Sequence, residues 1–333
     1  MAFHSVIYFT GDGLQSGGGG FLGVDLFFVL SGFLITRIVI ERFEHDGEKG
    51  PGRFYLRRFL RLFPALAVVA IAQFAFVAAV WPGNTSRAAG DAAAVLFYVA
   101  NFRAEILLGH TWSLAVEEQF YLVAAPLLIV VLKRRIRPSV AAIVVLMTVV
   151  AIFMWRFAAY DGFGHELYKR TDMRADTILI GVLAGLLWPQ LARKNWRYVG
   201  LAGLALLLGA VLTVERDTSI LYQGGFTIVA IACACAVIAA AQGSIPILGW
   251  GPLVAVGKLA YSLYLWHFVV FELVYFSGAA PLLGLPIAFS ISTALALLSW
   301  RFVEGPALRL KSQITRSPGG GVALGEPTQP QEA

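Results

Sequence analysis

The chain has 333 residues, of which 58% are hydrophobic and only 14% charged, and its mean hydropathy is +0.74. Soluble globular domains are usually about 45–50% apolar with about 25% charged residues, so the composition excludes that class and indicates a polytopic membrane protein. The net charge of +6 is modest and gives no signal of nucleic-acid binding. The two cysteines, Cys233 and Cys235, lie in one apolar run, and no metal-ligand spacing occurs, so we expect neither disulfides nor a bound metal.

Hydropathy predicts an all-α transmembrane bundle with about nine spans, each about 20 residues long. These spans are 21–40, 62–81, 112–132, 139–159, 175–191, 198–214, 219–241, 254–276 and 283–303. We expect one transmembrane domain at 1–310 and a disordered cytoplasmic tail at 311–333, where no apolar period continues.

A further apolar stretch, 91–108, is interrupted by Asn101, Arg103 and Glu105. If it crossed the membrane, the basic segments 37–61 and 133–137 would lie on opposite sides, against the positive-inside rule. We therefore predict an interfacial or re-entrant segment. The basic connections then all lie inside, and the 82–111 region lies outside.

The beginning of the chain is unusual, because His4 comes almost at once and residues 1–9 are too few to cross. Either the protein begins outside with no preceding helix, or the chain lacks most of a first span ending near His4. In the first full span, Asp25 enters from the outer end, with Phe28 and Gly32 on its helical face. A packing face with an interfacial aspartate explains this pattern as well as a functional site does.

The stretch YLRRFLRLFPAL brings Arg57, Arg58 and Arg61 together at the inner start of the second span. Anchoring by the positive-inside rule explains them, but three guanidinium groups at this spacing are also suited to clamping a polyphosphate.

The stretch TWSLAVEEQFYL places Glu117 and Glu118 inside the third span, where a charge costs about 2.5 kcal/mol or more. Ser113, Glu117 and Tyr121 share one helical face, and Glu118 points about 100° away. The loop charges put this helix's beginning at the outer face, so we expect Glu117 in the outer third, far from the arginines. We expect Glu118 to tolerate substitution better.

Two later spans also carry polar groups. Arg174 and Asp176 lie at the outer start of one, where a structural ion pair explains them. Tyr264 and His267 lie inside the other, and a buried histidine is more often a hydrogen-bonded structural residue than a catalyst. His110, just before the TWSL helix, is ambiguous.

In this order the patches resemble the acyltransferase 3 family of membrane-bound O-acyltransferases, over almost the whole chain from His4 to about Arg309. The matching features are His4, FFVLSGFLI (27–35), RRFLRLFP (57–64), WSLAVEEQFY (112–121), MRADTILIG (173–181), YSLYLWH (261–267) and SWRFVEGP (299–306).

The resemblance implies a helical domain of about ten spans in the plasma membrane, with basic loops and C-terminus cytoplasmic. It implies transfer of an acyl group, commonly acetyl, from cytoplasmic acyl-CoA to a hydroxyl of a carbohydrate or glycoconjugate, with no permanently bound cofactor. By the same resemblance His4 is catalytic, and the arginine motif and Glu117 are essential. The family's first span also has an arginine about ten residues ahead of its histidine, which this chain lacks; we expect a start assigned too far downstream or a truncated, inactive product.

As a mechanism we expect Arg57, Arg58 and Arg61 to hold the phosphates of CoA, and His4 to be the general base. Asp25 or Glu117 would orient the imidazole and stabilise its cation, and the sequence leaves open both direct transfer and an acyl-histidine relay. The expected substrate-binding residues are Trp112, Ser113, Tyr121, Arg174, Asp176, Tyr264 and His267. Two other classes stay open, a transporter or flippase of a polar or lipid-linked substrate and a non-catalytic relative of the family.

Overall fold

The computed structural model describes residues 18–46, 51–103, 106–162 and 164–315, excluding the side chains of 45–46, 51, 165–166, 312 and 314–315. His4 therefore lies outside the described residues. The α-helices within them are α1 (Gly23–Asp46), α2 (Pro51–Val80), α3 (Thr85–Leu96), α4 (Trp112–Lys133), α5 (Pro138–Ala159), α6 (Gly164–Tyr168), α7 (Thr171–Leu186), α8 (Trp188–Leu191), α9 (Arg197–Thr213), α10 (Phe226–Ala241), α11 (Gly251–Phe276), α12 (Pro281–Ser299) and α13 (Gly305–Thr315).

Every predicted span corresponds to a helix, so the protein is an all-α, multi-pass membrane protein. Seven stretches of the described chain are long and apolar enough to cross a bilayer, and α7 and α9, with 16 and 17 residues, complete the nine. Helices suit this environment because each satisfies its own backbone hydrogen bonds where no water is present. Helix α13 continues to Thr315, five residues beyond the predicted domain boundary.

The basic connections all lie at one end of the bundle, which we call the basic end. Helices α1 and α4 run parallel, since Phe28 packs against Trp112 and Ser31, further along α1, bonds to Glu117, further along α4. Helix α7 runs in the same direction, since Asp25 pairs with Arg174 and Thr36 lies beside Gly185. Their C-termini lead into the connections at 37–61, 133–137 and 193–197. Helix α11 runs antiparallel to α4, and α12 returns beside it, so the C-terminal segment also reaches the basic end.

The chain between α2 and α4 re-enters the bundle. After a tight turn, α3 packs back along α2, and its 12 residues span about 18 Å, too short to cross. Asp91 pairs with Arg103 at 2.9 Å and accepts the Leu107 N–H, which closes the segment on itself.

Helix α4 consequently begins deep in the protein. Its residue Leu114 belongs to one buried cluster with Leu66, and about 20 Å of α2 extends beyond Leu66 away from the basic end. The expectation that this helix starts at the outer face is therefore wrong, whereas the predicted re-entrant segment agrees with the path of α3.

Helices α1 and α7 approach each other closely through glycine. A Cβ on Gly32 would meet the carbonyl of Ile178, and a Cβ on Gly181 would meet the carbonyl of Val29. Small residues at such positions let membrane helices pack by backbone contact. This contact fixes the depth of Asp25 and Ser31 relative to the polar start of α7.

We predict that Gly181→Ala forces α1 and α7 apart and destabilises the protein by about 1–3 kcal/mol, the usual cost of overpacking. Gly209→Ala in α9 is the matched control, because nothing lies within 4 Å of the added methyl group. Thermal unfolding of the purified variants in detergent measures the difference. Equal midpoints for both variants would contradict the proposed contact.

Candidate active site

The arginine motif and the glutamate pair meet in one cluster, which we call the Arg58 cluster: Arg58, Glu117, Glu118, Ser31 and Tyr121. Arg58 Nη2 lies 2.9 Å from Glu117 Oε1, and its Nε donates to Glu118. The guanidinium also lies over the Tyr121 ring, 3.7 Å from its centroid. One arginine thus bridges both glutamates of α4.

Glu117 is the most enclosed carboxylate of this cluster, with a side chain only 3% exposed. Its Oε1 accepts hydrogen bonds from the Ser31 hydroxyl and from Tyr121 OH, the latter at 2.9 Å, besides the arginine. Oε1 thus has three donors, which come from α1, α2 and α4. Among the described residues nothing donates a hydrogen bond to Oε2. That atom can therefore accept a hydrogen bond from a substrate hydroxyl or from an imidazole N–H.

One expectation about this region is corrected. Arg58 lies at the depth of Glu117, not on the opposite side of the membrane, because α4 begins deep in the bundle. Glu118 points in another direction on the helix, and the arginine side chain presents Nε to it and Nη2 to Glu117.

A second polar group joins α4 to α11. Tyr264 donates its single proton to the carbonyl of His110, so the 2.7 Å contact with Ser113 uses the serine as donor. The buried imidazole rings of His110 and His267 lie 5.6 Å apart, and His267 Nδ1 lies 2.9 Å from the carbonyl of Leu263. The predicted residues Ser113, Tyr264 and His267 therefore lie together, and His110 joins them.

A third group, centred on α7, contains Asp25. Arg174 pairs with Asp25 at 2.7 Å, and Asp176 pairs with Arg156 of α5 at 2.8 Å. Thr227 of α10 accepts from Arg156 and donates to Asp176. Arg174 and Asp176 thus each pair with another helix, not with each other. Asp25 is not brought together with Glu117.

Arg156 is the residue that sequence reasoning missed here. It is completely buried and also donates to the carbonyl of Met173 at 2.6 Å. Its position within an apolar span was the available signal, because an arginine at membrane depth requires a partner.

We predict that Arg156→Met destabilises the protein by about 3–5 kcal/mol, because it leaves Asp176 as a buried charge without its cation. The control is Arg170→Met, which breaks an ion pair with Asp172 whose side chains are 46% and 49% exposed, and should cost about 1 kcal/mol or less. Thermal unfolding compares the two. A midpoint for Arg156→Met as high as that of the control would exclude a structural role for this network.

The remaining candidates occupy simpler environments. Trp112 packs between Phe28 and Tyr168 in the apolar core. Arg57 is half-buried and Arg61 exposed, and neither forms an ion pair with a described carboxylate. Sequence reasoning also missed Glu304, a buried carboxylate within SWRFVEGP that accepts a hydrogen bond from Ser262.

Comparison with known proteins gives consistent matches. The protein-family profile described as "Acyltransferase domain" matches residues 1–301. O-acetyltransferase OatA of Staphylococcus aureus strain NCTC 8325 is 32% identical over 320 residues, and putative O-acetyltransferase SACOL0978 of strain COL is 32% identical over 318. Each alignment covers 86% of this chain and 52% of the relative, so the chain spans about half the length of these relatives. No solved structure gives a significant match.

Proposed function

The chain belongs to the acyltransferase 3 family, and from this membership we propose that it is a membrane O-acyltransferase. It transfers an acyl group, acetyl in the simplest case, from cytoplasmic acyl-CoA to a hydroxyl of a carbohydrate or glycoconjugate. The names of its relatives support the acetyl group and the oxygen acceptor. The positive-inside rule supports placing the basic end in the cytoplasm, and the family resemblance supports the plasma membrane.

The observation that carries this proposal is the Arg58 cluster. Two carboxylates share one guanidinium in a largely buried site. Such an arrangement favours a further cationic partner, and an imidazole that takes a proton from a hydroxyl becomes one during the reaction. A fixed charge of this kind acts strongly where water is scarce.

The reaction itself is a simple exchange. A general base removes the proton of the acceptor hydroxyl, and the oxygen attacks the thioester carbonyl. The carbon–sulfur bond then breaks, the acyl group stays on the oxygen, and the CoA thiolate leaves and takes up the proton.

The family resemblance assigns the base to His4, which lies outside the described residues. Glu117 Oε2 is the atom we assign to orient it and stabilise its cation. Asp25 is less suited to orient the imidazole, because it already forms an ion pair with Arg174.

The three arginines of the motif have different roles in binding the acyl-CoA donor. Arg58 holds the glutamates and is largely unavailable to a phosphate, whereas Arg57 and Arg61 keep their charges without a described carboxylate partner. We therefore assign these two to the CoA phosphates, which guanidinium groups bind well.

The test is acyl transfer by the purified chain in proteoliposomes, with labelled acetyl-CoA outside and a glycan acceptor. Label in the acceptor that depends on both substrates supports the proposal. Acceptor movement across the bilayer without acetyl-CoA and without label would indicate a transporter. Donor binding with no transfer would indicate a non-catalytic relative.

A further inference from the structure

A basic groove lies at the basic end of the bundle, and none of its lining residues belongs to the Arg58 cluster. It has a volume of about 660 Å³ and lies between the α8–α9 connection and the end of α10. Its lining includes Arg193, Lys194, Asn195, Arg197 and Gln242.

The charged residues that line the groove are all positive. Arg193, Lys194 and Arg197 are all exposed, and the lining contains no acidic residue. Among the residues that the structure describes, none of these three cations pairs with a carboxylate. Positive charge gathered around a shallow surface depression attracts anions.

The groove is also preformed, which distinguishes it from an ordinary basic loop. The Gln242 amide donates to the carbonyls of Leu191 and Lys194, at 3.2 and 2.7 Å, and its oxygen accepts the Trp196 N–H. The Asn195 side chain accepts the Arg197 N–H at the start of α9. These bonds hold the backbone between the cations in one conformation.

Its position is at the membrane surface. Tyr198 and Trp250, 76% and 60% exposed, lie in the segments that flank the groove, and such aromatic residues favour the level of lipid headgroups. Basic pockets between membrane helices on the cytoplasmic side suit phosphate-bearing headgroups.

We propose that this groove binds the phosphate of an anionic phospholipid headgroup, with Arg193, Lys194 and Arg197 as its ligands. Such binding is independent of the proposed acyl transfer, in which Arg57 and Arg61 are assigned to the CoA phosphates.

The test measures binding to the purified full chain without any acyl-transfer step, so its failure is separate from failure of the proposed function. Phosphatidylglycerol and phosphatidylcholine retained from mixed micelles are measured by mass spectrometry, and adenosine 3′,5′-bisphosphate binding by equilibrium dialysis. Replacing Arg193, Lys194 and Arg197 by alanine should lower retention of the bound phosphate ligand about ten-fold or more. Preferential retention of phosphatidylglycerol supports the proposal, whereas binding of the bisphosphate alone would contradict it.

Two controls distinguish a specific phosphate site from non-specific electrostatic attraction of anions. Replacing Arg134, Arg135 and Arg137 by alanine removes the same charge from another basic connection and should change binding less than about three-fold. Gln242→Ala changes no charge but frees the backbone, and should weaken binding. Equal losses in both triple variants, or wild-type protein that binds neither ligand, would overturn the proposal.

Discussion

Replacing Glu117 by glutamine should lower the rate of acyl transfer by about 10²–10³-fold while the protein stays folded. Glutamine keeps the size of the side chain and an oxygen that can accept from Ser31 and Tyr121. What it removes is the negative charge beside the reacting groups. Arg58 keeps Glu118 as a counter-ion, so the variant has no unpaired buried charge.

Glu118→Gln is the matched control for that variant. Glu118 has one described partner, Arg58, and its side chain is 18% exposed, against 3% for Glu117. We expect a loss of less than about ten-fold, in line with a charge that is more accessible to solvent. Initial rates in proteoliposomes, normalised to folded protein, measure both. A larger loss for Glu118→Gln than for Glu117→Gln would reverse the assignment.

Arg58→Ala should abolish acyl transfer and also destabilise the protein by about 3–5 kcal/mol, because two neighbouring carboxylates then lose their shared cation. The guanidinium also lies on the Tyr121 ring, so packing is lost with the charge. Arg58→Lys should recover part of the stability and less of the activity, since an ammonium group cannot reproduce the planar fork.

Arg61→Ala is the control for Arg58, one turn further along the same helix and exposed. Its unfolding midpoint should stay close to that of the wild type. Because we assign Arg61 to the CoA phosphates, the KM of the Arg61→Ala variant for acyl-CoA should rise while its kcat changes little. Equal unfolding midpoints for Arg58→Ala and Arg61→Ala would show that the Arg58 cluster does not stabilise the fold.

The helices could be predicted from the sequence because each span is a nearly continuous apolar run. The shared end of the basic connections followed from their charges, and the contacts between α1, α4 and α7 agree with it. The re-entrant path of 91–108 followed from the same charge argument. These features depend on local composition and on loop charge, and both can be read directly from the sequence.

The partners of the buried charges could not be predicted. Helical geometry separates Glu117 from Glu118 by about 100°, but it does not foresee a long arginine reaching both. The depth of α4 depends on how far α3 re-enters, which no hydropathy profile reports. Likewise Arg174 and Asp176, two residues apart, pair with Asp25 and Arg156, because each faces a different neighbouring helix.

A double-mutant cycle on acyl transfer is the most direct test of the claim that Arg58 and Glu117 act as one unit. The rates of wild type, Arg58→Gln, Glu117→Gln and the double variant are measured in the same proteoliposomes. We predict that the double variant is no slower than the worse single variant, because groups acting together are strongly non-additive. Losses that multiply, as for independent sites, would contradict this account of the active site.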